Sequence, residues 1–190
     1  MASKEDILEQ LVEEYLIHRG YFVRHNVKFL PRRDHASFVS NQDSNHSDID
    51  VLAYNPRNQG PDRVWAVSCK SWQVGFDPVA KLEEIRLNKT VSGRPAWKGF
   101  RELCIPKWSE AFVAAVESAT GCKEFTYVTA VTKLVGTAAP WEQHEPFRIA
   151  MQGNPIKLVT LMEMLKEVSA ELSTTTVSYT HLRAHETVLD

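Results

Sequence analysis

Two short stretches carry side chains whose types and spacing could do chemistry together. "DIDVLAY", Asp48 to Tyr54, is a strand pattern with acids at its start, and "VWAVSCKSW", Val64 to Trp72, is an apolar strand pattern that contains Lys70. Burying an unpaired ammonium is unfavourable, so Lys70 needs an anionic partner or a polar opening. Strand side chains alternate between faces, which puts Ser68 and Lys70 on one face, Cys69 on the other, and Asp48 and Asp50 together. If the two strands form a hairpin with the start of one beside the end of the other, Asp50 and Lys70 meet. Lys70 would then face carboxylates, a metal ion or a bound phosphate. Neither residue decides this alone, because acids start many strands and a lysine at a strand end can snorkel to solvent. Ser68 has no nearby His–Asp arrangement, so a serine-hydrolase reading has little support. His144, isolated in "WEQHEP", suits a structural or surface role better than metal ligation.

Other side chains bear on what the pair would face. Arg24 and Lys28, followed by Arg32 and Arg33 in "PRRDH", form the best basic patch and could contact phosphates; a solvated loop explains them equally well. Trp97, Phe100, Trp108 and Phe112 fall at helical spacings with Leu103, which favours core packing over base stacking. The net charge is −2, so any nucleic-acid site must be a local patch rather than a global property. Three cysteines without metal-ligand spacing fit free thiols in a reducing cytoplasm. No apolar run approaches the ~20 residues of a membrane span, and "MASKEDILEQ" has no apolar signal core.

The elements that must position these residues are legible in outline. A helix opens with Ser3-x-x-Asp6 in capping-box form, repeats apolar residues from Ile7 to Leu16 and stops at Gly20. Strands follow over 21–29, 48–54 and 63–72, the last two as a β-hairpin around a Pro/Gly/Asn turn, with a polar loop after the first. Asp77-Pro78 predicts a helix start, with the helix running to about Lys89. Helical pieces over 96–103 and 109–119 come next, and 124–135 reads as a central strand. Residues 136–146 look irregular, 147–151 and 156–159 are short strand candidates, and Thr160-x-x-Glu163 caps a last helix. The expectation is one α/β domain over residues 1–176, a mixed central sheet flanked by helices.

Acidic helix, Gly, strand, "xDIDVLAY", turn and "VxxxxK" together resemble the PD-(D/E)XK nuclease superfamily over about Glu5 to Lys89. The resemblance implies a restriction-endonuclease-like fold and a metal-dependent endodeoxyribonuclease. Asp50 would be the strand aspartate and Lys70 the lysine. The first-helix glutamate would be Glu9, in "EQLVEEYLIHRGY", with Glu13 next in line. The acid expected two residues before the lysine is Ser68, whose hydroxyl cannot replace a carboxylate on a dication. Some type II restriction enzymes of the superfamily read Ser-x-Lys, then thirteen residues, then Glu on the following helix, and here that spacing falls on Glu84. The implied metal set is Asp50, Glu84 and the Cys69 carbonyl around Mg²⁺, with Mn²⁺ as a substitute; Ser68 and Asp48 stand beside it. Lys70 would orient or deprotonate the attacking water, or stabilise developing charge. DNA is the implied partner, contacted by Arg24, Lys28, Arg32 and Arg33, with a homodimer as a further expectation. The alternative is a catalytically inactive DNA-binding or assembly module that kept the fold. Separately, "VSYTHLRAHET" in the tail resembles a translated sequencing-library adaptor, so 177–190 is expected to be non-native and disordered and is set aside from the fold.

Overall fold

The fold is seen in a computed structural model that describes residues 4–72 and 74–170. The adaptor-like tail and the predicted Ser3–Asp6 cap lie outside the described residues. In chain order, α1 (Lys4–His18) leads to β1 (Phe22–Phe29), a short α2 (Ser40–Asp43), β2 (Ser47–Tyr54) and β3 (Val64–Lys70). Then come α3 (Pro78–Arg86), a small hairpin of β4 (Thr90–Val91) and β5 (Arg94–Pro95), a 3-10 turn over Ala96–Phe100, α4 (Arg101–Cys104) and α5 (Pro106–Thr120). β6 (Thr126–Val131), α6 (Ala139–Glu142), α7 (Glu145–Ala150), β7 (Ile156–Thr160) and a helix over 161–170 complete it.

The main sheet is ordered β1-β2-β3-β6-β7. β1, β2 and β3 pair antiparallel, and β3, β6 and β7 pair parallel, so the sheet is mixed and helices cover both faces. Parallel neighbours need long crossovers: α3 to α5 lie between β3 and β6, and α6 and α7 between β6 and β7. One apolar cluster, built on Trp108, Phe112, Tyr127, Trp141 and Phe147, packs α5 and α7 against the sheet. A second packs Leu8, Val12 and Leu16 of α1 with Met164 of the last helix over Trp65, Val67 and Val128.

The caps form as the sequence predicts. The Asp77 carboxylate accepts from the Ala80 N–H at 3.0 Å, and Glu163 and Thr160 exchange backbone-to-side-chain bonds at 2.8 and 3.2 Å. Residues 147–151, predicted as a strand, instead fall in and just after α7: Pro146 stands in its first turn and Phe147 is buried against Trp141, so a helical face serves where a strand was expected. The stretch read as irregular contains α6, and the central strand is shorter than predicted, Thr126–Val131. Of the four aromatics, Phe100, Trp108 and Phe112 are core, whereas Trp97 is only half-buried.

A kink in the first two strands matters for the site. His25 pairs with Val51 and Val27 with Ile49, so Asn26 and Asp50 face each other between them. Asn26 adopts a left-handed φ of 53°, which asparagine tolerates better than most residues. Val51 lies in the α1-side cluster, but Ile49, Val27 and Phe29 lie in the other. Both strands therefore change faces at this point, and Asp50 is the pivot.

Candidate active site

β2 and β3 are paired only from Tyr54↔Val64 to Val51↔Val67, and beyond that they part into a fork. Asp50 is the first residue past the last pair. Its carboxylate stands in for the missing strand partner, accepting a bond from the Cys69 N–H at 2.6 Å. The Lys70 ammonium lies 3.9 Å from the same oxygen and 5.9 Å from the Phe100 ring centre. Both side chains are mostly enclosed, at 19% and 23% exposure. Lys70 thus has its anionic partner, as the hairpin argument expected.

A second carboxylate joins them. Glu102 on α4 is only 6% exposed and accepts a 2.6 Å bond from the Tyr127 hydroxyl. The Tyr127 phenol, fully enclosed, has Ser68 and Asp50 as further neighbours, and burial together with the Glu102 charge drives its pKa far up. Burial also raises the Asp50 pKa; Lys70 and the Cys69 N–H pull against it, and the negative charges of Glu102 and Asp48 add to it. Asp50, Glu102, Lys70, Ser68 and Tyr127 therefore form one electrostatically coupled group at the carboxyl end of β3.

The other sequence-predicted residues are placed as follows. Glu84 on α3 pairs with Lys81 at 2.5 Å, and among the described residues no hydrogen bond or ion pair joins it to Asp50 or Lys70. Glu9 lies on the opposite side of the sheet, where its charge helps raise the Cys69 thiol pKa, an effect dominated by burial. Glu13 sits 3.1 Å from His25. Asp48 is exposed and opposite Lys28 in the β1–β2 register. Arg24, Lys28, Arg32 and Arg33 are exposed, and Arg32 is matched to Asp34 at 2.5 Å.

Among the described residues no group of three or more His, Cys, Asp or Glu side chains is arranged to hold a metal ion. The fork offers a smaller oxygen set. In an extended strand the N–H and C=O of one residue point to the same side. The Cys69 carbonyl therefore faces the fork with its N–H, beside the Asp50 carboxylate, on which the Glu102 charge also acts. A desolvated aspartate that the nearby Glu102 charge makes costlier to ionise, the buried Glu102 carboxylate itself and a carbonyl suit a hard dication that keeps several of its waters.

Sequence reading did not pick out Glu102. A signal was present: it is the single acid among residues 85–109, which carry six Lys or Arg. Tyr127 was hidden inside a strand rich in β-branched residues. No family model matches the chain, and neither does any curated protein or solved structure.

Proposed function

We propose that the chain is a metal-dependent endodeoxyribonuclease that hydrolyses phosphodiester bonds, with Asp50, Glu102 and Lys70 at its centre. The observation that carries this reading is the fork between the start of β2 and the end of β3, where a largely enclosed aspartate with a raised pKa meets a lysine and a second, buried carboxylate. The resemblance to the PD-(D/E)XK superfamily in "DIDVLAY" and "SCK" supports it. Glu102 takes the place that Glu84 was expected to fill, and it supplies the charge that Ser68 lacks.

The roles follow from position. Asp50, Glu102 and the Cys69 carbonyl would hold Mg²⁺, or Mn²⁺ in its place. A dication there supplies neutralisation of the phosphodiester's charge and acidification of the attacking water. The Cys69 N–H and Tyr127 hydroxyl fix the two carboxylates, so little reorganisation is needed on binding. Lys70 orients the water or stabilises charge on the phosphate oxygens; its Phe100 neighbour limits where the ammonium can go.

A second reading is a non-catalytic DNA-binding module, favoured by Ser68 at the expected acid position and by the capture of Glu84 by Lys81. Plasmid cleavage with Mg²⁺ separates the two. The wild type should cut, whereas Asp50→Ala and Glu102→Gln should each lose at least ~100-fold, the scale of a lost transition-state electrostatic contact. Glu102→Gln keeps an acceptor for Tyr127, so its loss reports charge rather than folding. Equal nicking by wild type and both variants would overturn the nuclease reading.

A further inference from the structure

Beyond the fork, the segment between α3 and α4 gathers positive charge that the reaction itself does not use. The β4–β5 hairpin turns on Ser92 and Gly93, both at positive φ (49° and 77°), the backbone a tight two-residue hairpin requires. Arg94 follows at its exposed rim. The 3-10 turn is anchored by buried Ala96 and Phe100, which leaves Lys98 pointing out, and Arg101 opens α4.

Two cavities meet at this segment. One, of about 360 Å³, is lined by Lys70, Trp72, Lys81, Arg94, Lys98 and Arg101 among others, and among the described residues no Asp or Glu contributes to it. The other, of about 530 Å³, is lined by Asn41, Gln42, Asn45 and Trp97. Lys98, Arg101 and Pro95 line both, so the two form one groove running from the fork.

The groove's charge is not balanced from within. Lys70 and Lys81 have carboxylate partners, but Arg94, Lys98 and Arg101 have no ion pair among the described residues. Arg101 packs 4.6 Å over the Trp108 ring, which fixes the guanidinium without neutralising it. The acid lining the second cavity, Asp43, is bonded to Lys107 at 2.6 Å. In a chain of net charge −2, this surplus is a local concentration that attracts anions. Trp97 adds a half-exposed ring, its indole N–H held by the Asn88 side chain at 3.0 Å.

We propose that this groove binds the nucleic-acid strand beside the reactive phosphate, with Arg94, Lys98 and Arg101 on successive phosphates and Trp97 as a stacking surface for a base. The placement of the strand beside a reactive phosphate rests on the nuclease reading; the binding does not. A single free phosphate or mononucleotide would fill one cavity and leave the amides and Trp97 unused, whereas a polymer uses both.

The test is fluorescence anisotropy of a labelled 12-nucleotide single strand with the full chain in EDTA, so that no cleavage occurs. Arg94→Ala/Lys98→Ala should weaken binding at least ~10-fold. It should also flatten the slope of log affinity against log salt by about 1.4, the value for two single-strand phosphate contacts. Trp97→Ala should weaken binding ~5-fold or more at every salt concentration, with the slope unchanged, the pattern of stacking. Arg24→Ala/Arg33→Ala, on β1 and the loop after it, tests the competing basic patch expected from the sequence and should change affinity less than ~2-fold. Wild-type affinity in Arg94→Ala/Lys98→Ala overturns the groove, as does a loss seen only in Arg24→Ala/Arg33→Ala. Adenosine monophosphate displacing the strand at equal molar concentration would also overturn it, by pointing to a small phosphorylated ligand. Binding with these signatures but no cleavage in Mg²⁺ overturns the nuclease reading and leaves the groove standing.

Discussion

Asp50 carries a charge that its surroundings disfavour. Burial raises its pKa, and the attraction of Lys70 and the Cys69 N–H does not fully offset this. An acid whose folded pKa lies above its unfolded one binds more protons folded than unfolded between the two values. Stability therefore falls as pH rises through that window and stays lowered above it. Asp50→Asn keeps an acceptor for the Cys69 N–H and removes the charge. At pH 7.5 it should raise Tm by about 2–4 °C, what ~1 kcal/mol moves in a chain of this size. The gain should vanish in acid, below the ordinary aspartate value of ~4, while cleavage is lost; parallel melting curves and plasmid assays check both. A stability gain coupled to loss of activity marks a residue retained for function. Asp50 and Lys70 were legible in the sequence because a hairpin's register and two-residue alternation are local rules. Glu102 and Tyr127 were not, since they reach the fork only through the crossover that sets β6 beside β3 and lays α4 over it.

At the level of elements, one buried ion pair pins the polar loop after β1 to α5. The Lys107 ammonium bonds Asp43 at 2.6 Å and the Ser37 carbonyl at 2.9 Å, and Asp43 also accepts from the Val39 N–H at 2.7 Å. Desolvation is the largest single influence on Asp43 and pushes its pKa up, but these bonds together outweigh it and hold the pKa below the ordinary range. Lys107→Met strands the Asp43 charge and should lower stability by about 3 kcal/mol. A depressed acid contributes stability above its unfolded pKa and loses it as pH falls through the folded one. The gap between variant and wild type in urea melts should therefore be full at neutral pH, narrow as acid protonates the stranded Asp43 of the variant, and be smallest below about pH 4, where the wild-type carboxylate is protonated as well. This loop was read as solvated because Ser, Asn and Asp dominate it; a lysine more than sixty residues away is what folds it down. Strongly periodic or capped elements such as α1, α3 and the helix over 161–170 were legible from local chemistry. The 139–150 region was not, because its helices are short and take their shape from the burial of Trp141 and Phe147.

Across the whole molecule, the charges are sorted rather than merely balanced. The acids Asp50 and Glu102 lie at the fork, the cations of the 94–101 segment line the groove beside it, and both stand at the carboxyl end of β3. In open sheets with parallel strands, ligands bind outside that end, where helices and loops can converge without breaking the ladder. Such sorting leaves like charges close together before any ligand arrives, so a ligand of opposite sign should stabilise the fold. A cation that binds the folded chain and not the unfolded one adds about 1.4 kcal/mol at ten times its Kd. That corresponds to a rise in Tm of about 3–6 °C for a protein of this length. Titration with MgCl₂ or MnCl₂ should produce this saturable rise, and NaCl at matched ionic strength should not. Asp50→Asn, already more stable on its own, should show no further gain with metal, and Glu102→Gln should lose it as well. A rise that survives in both variants would place the cation elsewhere and detach the acid pair from the chemistry proposed for it.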